Sequence, residues 1–208
     1  MRSSVAENPP DQTEPKEETE ARQMRKLKLY IAASMDGFIA GPNGEIDWLE
    51  EAGGKTDTVP GTSKGEDYGY GEFYASIDTT LMGMETYRVV LTADELPYPD
   101  KTNYVFTRSG RADRGDEPYV RFVNEDVAGF TRSLLGESGG DVWLVGGGQI
   151  NTIMLNEGLI DEVILTSFPV VLGTGIPLFG RGASRQGFQT VGFQAYDSGL
   201  IQWRMARR

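Results

Sequence analysis

Through the middle of this chain, short apolar runs alternate with segments of helical character, and that alternation limits the possible fold more than any other feature. The runs "DTTLMG" (78–83), "NYVFT" (103–107), "YVRFV" (119–123), "DVWLV" (141–145) and "DEVILTSFPVV" (161–171) read as strands. "METYRVVL" (84–91), "NEDVAGFTRSLLGES" (124–138) and "QINTIMLNEG" (149–158) read as the helices between them. In the second of these, Asn124 is the expected N-cap, and Val127, Phe130, Leu134 and Leu135 share one face. Upstream, Leu27, Leu29 and Ile31 alternate in a first strand that turns break at Asp36-Gly37 and Gly41–Gly44. Short helices are expected in "EIDWLEEAGG" and "GEFYASI", with a long loop over 53–71 between them. Residues 188–208 alternate around Asp197-Ser198-Gly199 and read as a hairpin. The pattern predicts an α/β fold, a mixed sheet with helices on both faces that ends in an antiparallel C-terminal hairpin.

A chain of 208 residues supports one core, so one domain is expected over residues 25–208. Residues 1–24 are acidic, proline-bearing and poor in apolar residues, which predicts a disordered tail. There is no apolar run of transmembrane length or signal-peptide form, so a soluble, cytoplasmic protein without a membrane partner is expected. The net charge of -11 disfavours nucleic acid and anionic membranes, both of which repel an acidic surface. Cysteine and histidine are absent, which removes thiolate nucleophiles, the usual zinc sites and the commonest general base. No metal site is expected, and a proton donor must be Asp, Glu, Tyr, Lys or water.

The strand at 141–145 runs into Gly146, Gly147 and Gly148 and then a helix, which points free backbone N–H groups and the positive helix end at one space. That arrangement suits a pyrophosphate. The G-x-G-x-x-G fingerprint fails because Asn151 holds its third glycine position, so an ordinary Rossmann site is not expected. The competing reading is a tight turn packed against a neighbour. Gly83 repeats the theme, with Glu85 and Thr86 in the following helical turn, where simple capping is the alternative. "FTRSG" ends another strand with Thr107, Arg108 and Ser109, and Arg108 is suited to clamp a phosphate. Three anion-friendly strand ends together predict a nucleotide site.

In order, "LYIAASMDGFIAGPNGEIDWL", "TTLMGMETYRVV", "YVFTRSG" and "VWLVGGGQINTIMLNEGLIDEVILTSFPVVLGTGIPLF" resemble the dihydrofolate reductase superfamily. They are most similar to its branch containing the reductase domain of bacterial riboflavin biosynthesis and stand-alone relatives, over about residues 26–206. The resemblance implies the three-layer dihydrofolate reductase-like fold with a mostly parallel central sheet, bound NADPH and a homodimer. It places Ala32, Ile39 and Ala40 beside the nicotinamide. It places Gly83, Met84 and Thr86 on one side of the phosphates and Gly146, Gly147, Gly148, Gln149 and Ile150 on the other. Thr107 and Arg108 would hold the adenosine ribose and its 2'-phosphate, and Leu172–Phe179 would close the wall near the cofactor. Met84 stands where many folate reductases carry a basic residue.

Those enzymes also place a carboxylate on the first helix, for which Asp47, Glu50 and Glu51 are candidates here. Asp47 is the first choice, because Trp48 beside it would shield the carboxyl from water; a solvated helix-start acid is the alternative. Asp36 matches the S-x-D-G signature of the riboflavin-type branch, and a turn carboxylate bonding the backbone two residues on is the preferred account. The expected activity is NADPH-dependent reduction of a small planar heterocycle or ribosylamino-pyrimidine, with dihydrofolate as the alternative substrate. A phosphorylated substrate would want basic residues, and the 53–71 loop offers Lys55 and Lys64. The rival from another class is a nucleotide-binding protein without turnover, a sensor or a non-catalytic nucleotide-binding homodimer; an exposed edge of "VILTSFPVVL" would suit a homodimer in either case. A buried Asp47 beside a cavity is expected of the enzyme, and a solvated one of the rival.

Overall fold

The computed structural model describes residues 24–52, 67–92, 98–108 and 118–208. The N-terminal tail over 1–23, loop residues 53–66 with Lys55 and Lys64, and Ser109 lie outside the described residues. The first strand is β1 (Leu27–Ser34), followed by β2 (Phe38–Ala40), α1 (Trp48–Ala52), α2 (Tyr70–Ser76), β3 (Ile77–Gly83) and α3 (Met84–Thr92). Then come β4 (Thr102–Phe106), β5 (Val120–Val123), α4 (Val127–Leu135), β6 (Asp141–Gly146), α5 (Gly148–Asn156) and β7 (Glu162–Phe168). A short β8 (Ile176–Pro177) precedes the hairpin of β9 (Phe188–Ala195) and β10 (Ile201–Arg207).

Eight strands form one sheet in the order β5-β4-β3-β6-β1-β7-β10-β9. The first six are mutually parallel, and β10 and β9 are antiparallel. This is the mixed sheet with an antiparallel C-terminal hairpin that the alternating pattern predicts, mostly parallel as the family resemblance implies. The pair β2 and β8 is the exception: two or three residues have no readable periodicity, and their pairing spans most of the chain.

Alternate residues of each strand supply two cores. Leu27, Leu29, Leu81 and Leu144 pack on one face against Leu134 and Leu135 of α4 and Met154 and Leu155 of α5. On the opposite face Tyr30 and Trp143 pack against Phe73 of α2, Ala32 against Trp48 of α1, and Met82 and Val105 against Tyr87 of α3. Burial on both faces explains why central strands read as nearly continuous apolar runs.

Two local expectations need correction. The α4 N-cap is Asp126, whose carboxylate accepts from the Gly129 N–H at 2.8 Å, two residues after the expected Asn124. Asp, like Asn, is a strong cap, and the choice is made by where the buried Ala128, Thr131, Leu134 and Leu135 stripe meets the sheet. Nor does the part of "VILTSFPVVL" that lies in β7 present a free edge, because β7 lies between β1 and β10; among the described strands the edges of the large sheet are β5 and β9.

Candidate functional site

Parallel strands bring Ser34, Gly83, Phe106, Gly146 and Phe168 to the same end of the sheet. Within that end, β3 and β6 are neighbours, with Met82 opposite Gly146. The helices that follow them diverge: α3 packs on the face of Met82 and Tyr87, and α5 on the face of Leu29 and Leu144. A crevice therefore opens between two helix N-termini beyond adjacent carboxyl strand ends, the place where open α/β sheets take ligands.

The three consecutive glycines have three different reasons. Gly146 has φ +126°, a conformation that side chains avoid. At Gly147, a β-carbon would sit 3.2 Å from Thr86 Oγ1 and 3.9 Å from Ile39 Cδ1, so the bare backbone lines the crevice between α3 and β2. At Gly148, a β-carbon would run into the Pro177 carbonyl oxygen. The packed-turn reading thus holds for Gly148, and the open-backbone reading fits Gly147. Gly83 has its own close neighbour, since a β-carbon there would meet Ile150 Cγ1 at 3.2 Å.

Most of the expected residues converge. Gly83, Thr86, Gly147, Ile150 and Ile39 lie around one crevice. Arg108 is exposed at the end of β4 and reaches toward Gln149 Oε1 at 3.5 Å, which links the third strand end to the first turn of α5. Thr107 is half-buried and its N–H donates to the Val123 carbonyl. Met84 is half-buried against Met82 and Tyr87 and brings no charge. Ala40 is buried with its carbonyl oxygen facing Gly175. Ala32 belongs to a separate apolar group with Trp48, Tyr68, Phe168 and Leu200.

The α5 N-cap is Gly147, without a side-chain cap bond. The first amides of α5 accordingly have no intrahelical acceptor and no capping side chain, and those of α3 start across the crevice. Two such termini, a backbone approach kept open at Gly147, the Thr86 hydroxyl and an exposed arginine fit a pyrophosphate with a further phosphate nearby.

The acid of the first helix does not match the expected shielding. Asp47 is exposed, and its Oδ1 accepts from the Trp48 backbone N–H at 3.1 Å. The Trp48 indole is turned away into the core, edge-on to Phe168 at 5.3 Å. Adjacent residues at a helix start point in different directions, so neighbouring in sequence gave Asp47 no cover. Glu50 is exposed as well, and the Glu51 side chain lies outside the described residues. Tyr30 is no substitute as an acid: burial pushes its hydroxyl up to about 12, beneath Gln202, which donates to Thr166 Oγ1 and the Tyr68 carbonyl at 3.1 Å.

Sequence reasoning named Trp48, Asp36 and the segment holding Pro177 but missed the parts they play. Trp48 Nε1 is buried with no hydrogen-bond acceptor among the described residues, in the same apolar group as Ala32. Pro177 covers Gly148. Asp36 is more than a local turn residue, because it accepts from the Leu172 and Gly173 N–H groups at 3.1 and 2.7 Å. Contacts across 136 residues leave no signal in local pattern. Two open hollows, of about 380 and 280 Å³, lie against the β9–β10 hairpin and include none of the crevice residues. The crevice is an open groove between helix ends, so its chemistry rather than its enclosure identifies it.

Comparison with known proteins identifies the family and the fold. Residues 25–202 match the family model described as the RibD C-terminal domain. The Bacillus subtilis (strain 168) protein YwjB, itself described as uncharacterized, is 44% identical over 156 residues, covering 74% of this chain and 83% of that protein. A solved "Putative riboflavin biosynthesis protein" from Shewanella sp. PV-4 superposes with a TM-score of 0.75 at 30% identity, covering 88% of this chain and 99% of the other. The Thermotoga maritima diaminohydroxyphosphoribosylaminopyrimidine deaminase/5-amino-6-(5-phosphoribosylamino)uracil reductase shares the fold, with a TM-score of 0.62 at 18% identity. That match covers 89% of this chain and 57% of the Thermotoga protein.

Proposed function

The chain belongs to the RibD C-terminal domain family, a fold associated with reductases, and on that premise we propose that it is an NADPH-dependent reductase of the riboflavin-biosynthesis type. The observation that carries the reading is the pair of helix N-termini across the β3–β6 crevice, with Gly147 bare against Thr86. In this reading Gly146, Gly147, Gly148 and Thr86 hold the pyrophosphate through backbone N–H groups and a hydroxyl. Arg108 takes the 2'-phosphate, steadied by Gln149. Ile39 and Ala40 form the apolar wall beside the nicotinamide, and Trp48 Nε1 offers a buried donor on the same side of the sheet as Ala32.

The dihydronicotinamide supplies the hydride when bound. The chain's own work is to align a planar acceptor, a ribosylamino-pyrimidine or in the alternative a dihydropterin, and to exclude water from the reacting face. With Asp47 exposed, the proton comes from water. That same exposure is what favours the second reading, a nucleotide-binding protein without turnover. The assembly we propose is a homodimer. Phe193 and Trp203 face each other across the hairpin, 73% and 43% exposed, with Ile201 beside them. Sedimentation should show a dimer at micromolar concentration that Trp203→Glu converts to monomer; a monomeric parent protein removes the proposal.

The decisive experiment titrates the purified protein with NADPH and NADH, following nicotinamide fluorescence, and then adds the ribosylamino-pyrimidine phosphate or dihydrofolate. NADPH should bind in preference to NADH and be oxidised in the presence of one acceptor. Gly147→Val fills the space against Thr86 and should weaken NADPH by tenfold or more, a cost of about 1.4 kcal/mol, with little change in thermal stability. Unchanged affinity in that variant would falsify the site, and NADPH binding without oxidation by either acceptor would support the second reading.

A further inference from the structure

After β7 the chain runs as a strap over the start of α5, and its distal part is held by that helix. Asn151 Nδ2 donates to the Leu178 carbonyl at 3.1 Å, the Gly180 N–H to Thr152 Oγ1 at 2.7 Å, and Asn156 Nδ2 to the Gly182 carbonyl at 3.0 Å. In its middle, β8 pairs with β2, and the Leu178 N–H donates to the Gly37 carbonyl at 2.9 Å. At the proximal end the Met35 N–H donates to the Val170 carbonyl at 2.8 Å, and just beyond it the Asp36 side chain makes the connection. Asp36 Oδ1 accepts from Ser34 Oγ at 2.7 Å and from the Leu172 N–H, and Oδ2 accepts from the Gly173 N–H. Ser34 is buried and its Oγ in turn accepts from the Phe38 N–H at 2.9 Å, so the network runs from the end of β1 through β2 into the strap.

We propose that Asp36 is a positioning residue for the cofactor crevice: by clamping Leu172 and Gly173 it keeps β8 registered on β2, and so holds Ile39 and Ala40 at the place where they face the nicotinamide. This rests on the reading of the crevice given above. The Ser34 hydroxyl foremost, and then the two strap amides, hold the Asp36 carboxyl below its ordinary range, so the clamp is made of charge-assisted bonds at neutral pH. The consequence for Ile39 follows from its surroundings. Ile39 Cδ1 stands 3.9 Å from the β-carbon position of Gly147, and among the described residues β8 is the strand that pairs with β2. Gly173 itself has φ +73° and open space where a β-carbon would stand, so no side-chain packing of its own adds to these bonds at that bend. The phosphate-facing groups, Gly147 and Thr86, hang from β6 and α3, and where the strap meets the α5 start, at Pro177, it is held by Asn151 and Thr152 as well as by the clamp.

The test uses the full chain and Asp36→Asn, which keeps the shape, removes the charge and sets an amide N–H₂ against an N–H donor; Asp36→Ala is the harsher second variant. Amide exchange over 172–178 should accelerate about tenfold or more while β1, β6 and β7 keep their protection. NADPH affinity should change by less than about threefold, while the fluorescence enhancement of the bound nicotinamide falls by about half, because the phosphate end stays anchored and the ring end loosens. Equal exchange over 172–178 in parent and variant overturns the clamp. A parallel loss of affinity, fluorescence and melting temperature also overturns it, as that pattern marks general destabilisation. A parent protein that binds no NADPH overturns the reading of the crevice, and with it the positioning role; the exchange data then stand as a measure of the strap alone.

Discussion

The two ends of the parallel sheet are built from opposite materials. At the end where the strands begin, charge is paired: Arg25 with Asp78, Lys26 with Glu162, Lys28 with Asp141, and Arg207 with Asp161. Arg25 is nearly buried and is also spent on the Gly140 carbonyl at 2.6 Å and Thr79 Oγ1 at 2.7 Å. At the end where the strands finish, β3 and β6 terminate in glycine, α5 starts at Gly147 without a side-chain cap, and Arg108 is exposed and reaches toward the neutral Gln149 side chain. The first end spends its polar groups on itself, and the second keeps them for something else. Paired charge at one end and glycine-lined helix starts at the other is what separates a stabilising edge from a binding edge in an α/β sheet.

Substitutions can sharpen or break this contrast. The largest effect belongs to Gly148→Ala, which should cost about 3 kcal/mol in urea unfolding because the new methyl meets the Pro177 carbonyl, a backbone atom that cannot swing aside. It is the exception that defines the rule: a glycine at the binding end whose duty is packing, next to Gly147 whose duty is access. Should Gly148→Ala unfold like the parent while Gly147→Val does not, the two roles would have to be exchanged. At the other end, Arg25→Ala should cost about 2 kcal/mol, leaving Asp78 and Thr79 short of their shared donor. Lys26→Ala, removing an exposed pair with Glu162, should cost less than about 0.5 kcal/mol. Neither should alter NADPH affinity beyond error, and a tenfold change in either would mean that the two ends are coupled.

The sheet was legible in the sequence because its strands are central and its helices amphipathic. Leu27, Leu29, Leu81 and Leu144 are fully buried, and burial of that degree imposes the apolar runs from which strands are read. The three strand ends with their glycines were legible for the same reason, since a strand, a glycine and a helix are all local. The N-cap of α4 was misplaced by two residues because Asn124 and Asp126 are equally good caps, and the choice depends on how the helix docks. Asp47 looked coverable by Trp48 because adjacency in sequence says nothing about direction once the indole turns toward Phe168. Asp36 was read as a turn residue because its partners at 172 and 173 are invisible from position 36.

By itself, then, the sequence determined the element order, the mixed sheet and the presence of anion-friendly groups at strand ends, since these follow from short-range periodicity and backbone preference. Only the tertiary structure decided which strands are neighbours, and that decided the site. Placing β3 beside β6 while α3 and α5 leave to opposite faces opens the crevice, and bringing β8 back to β2 lays the strap across it. Those pairings are chosen by which apolar faces bury each other across the whole chain, a property of the packed whole that no local segment carries.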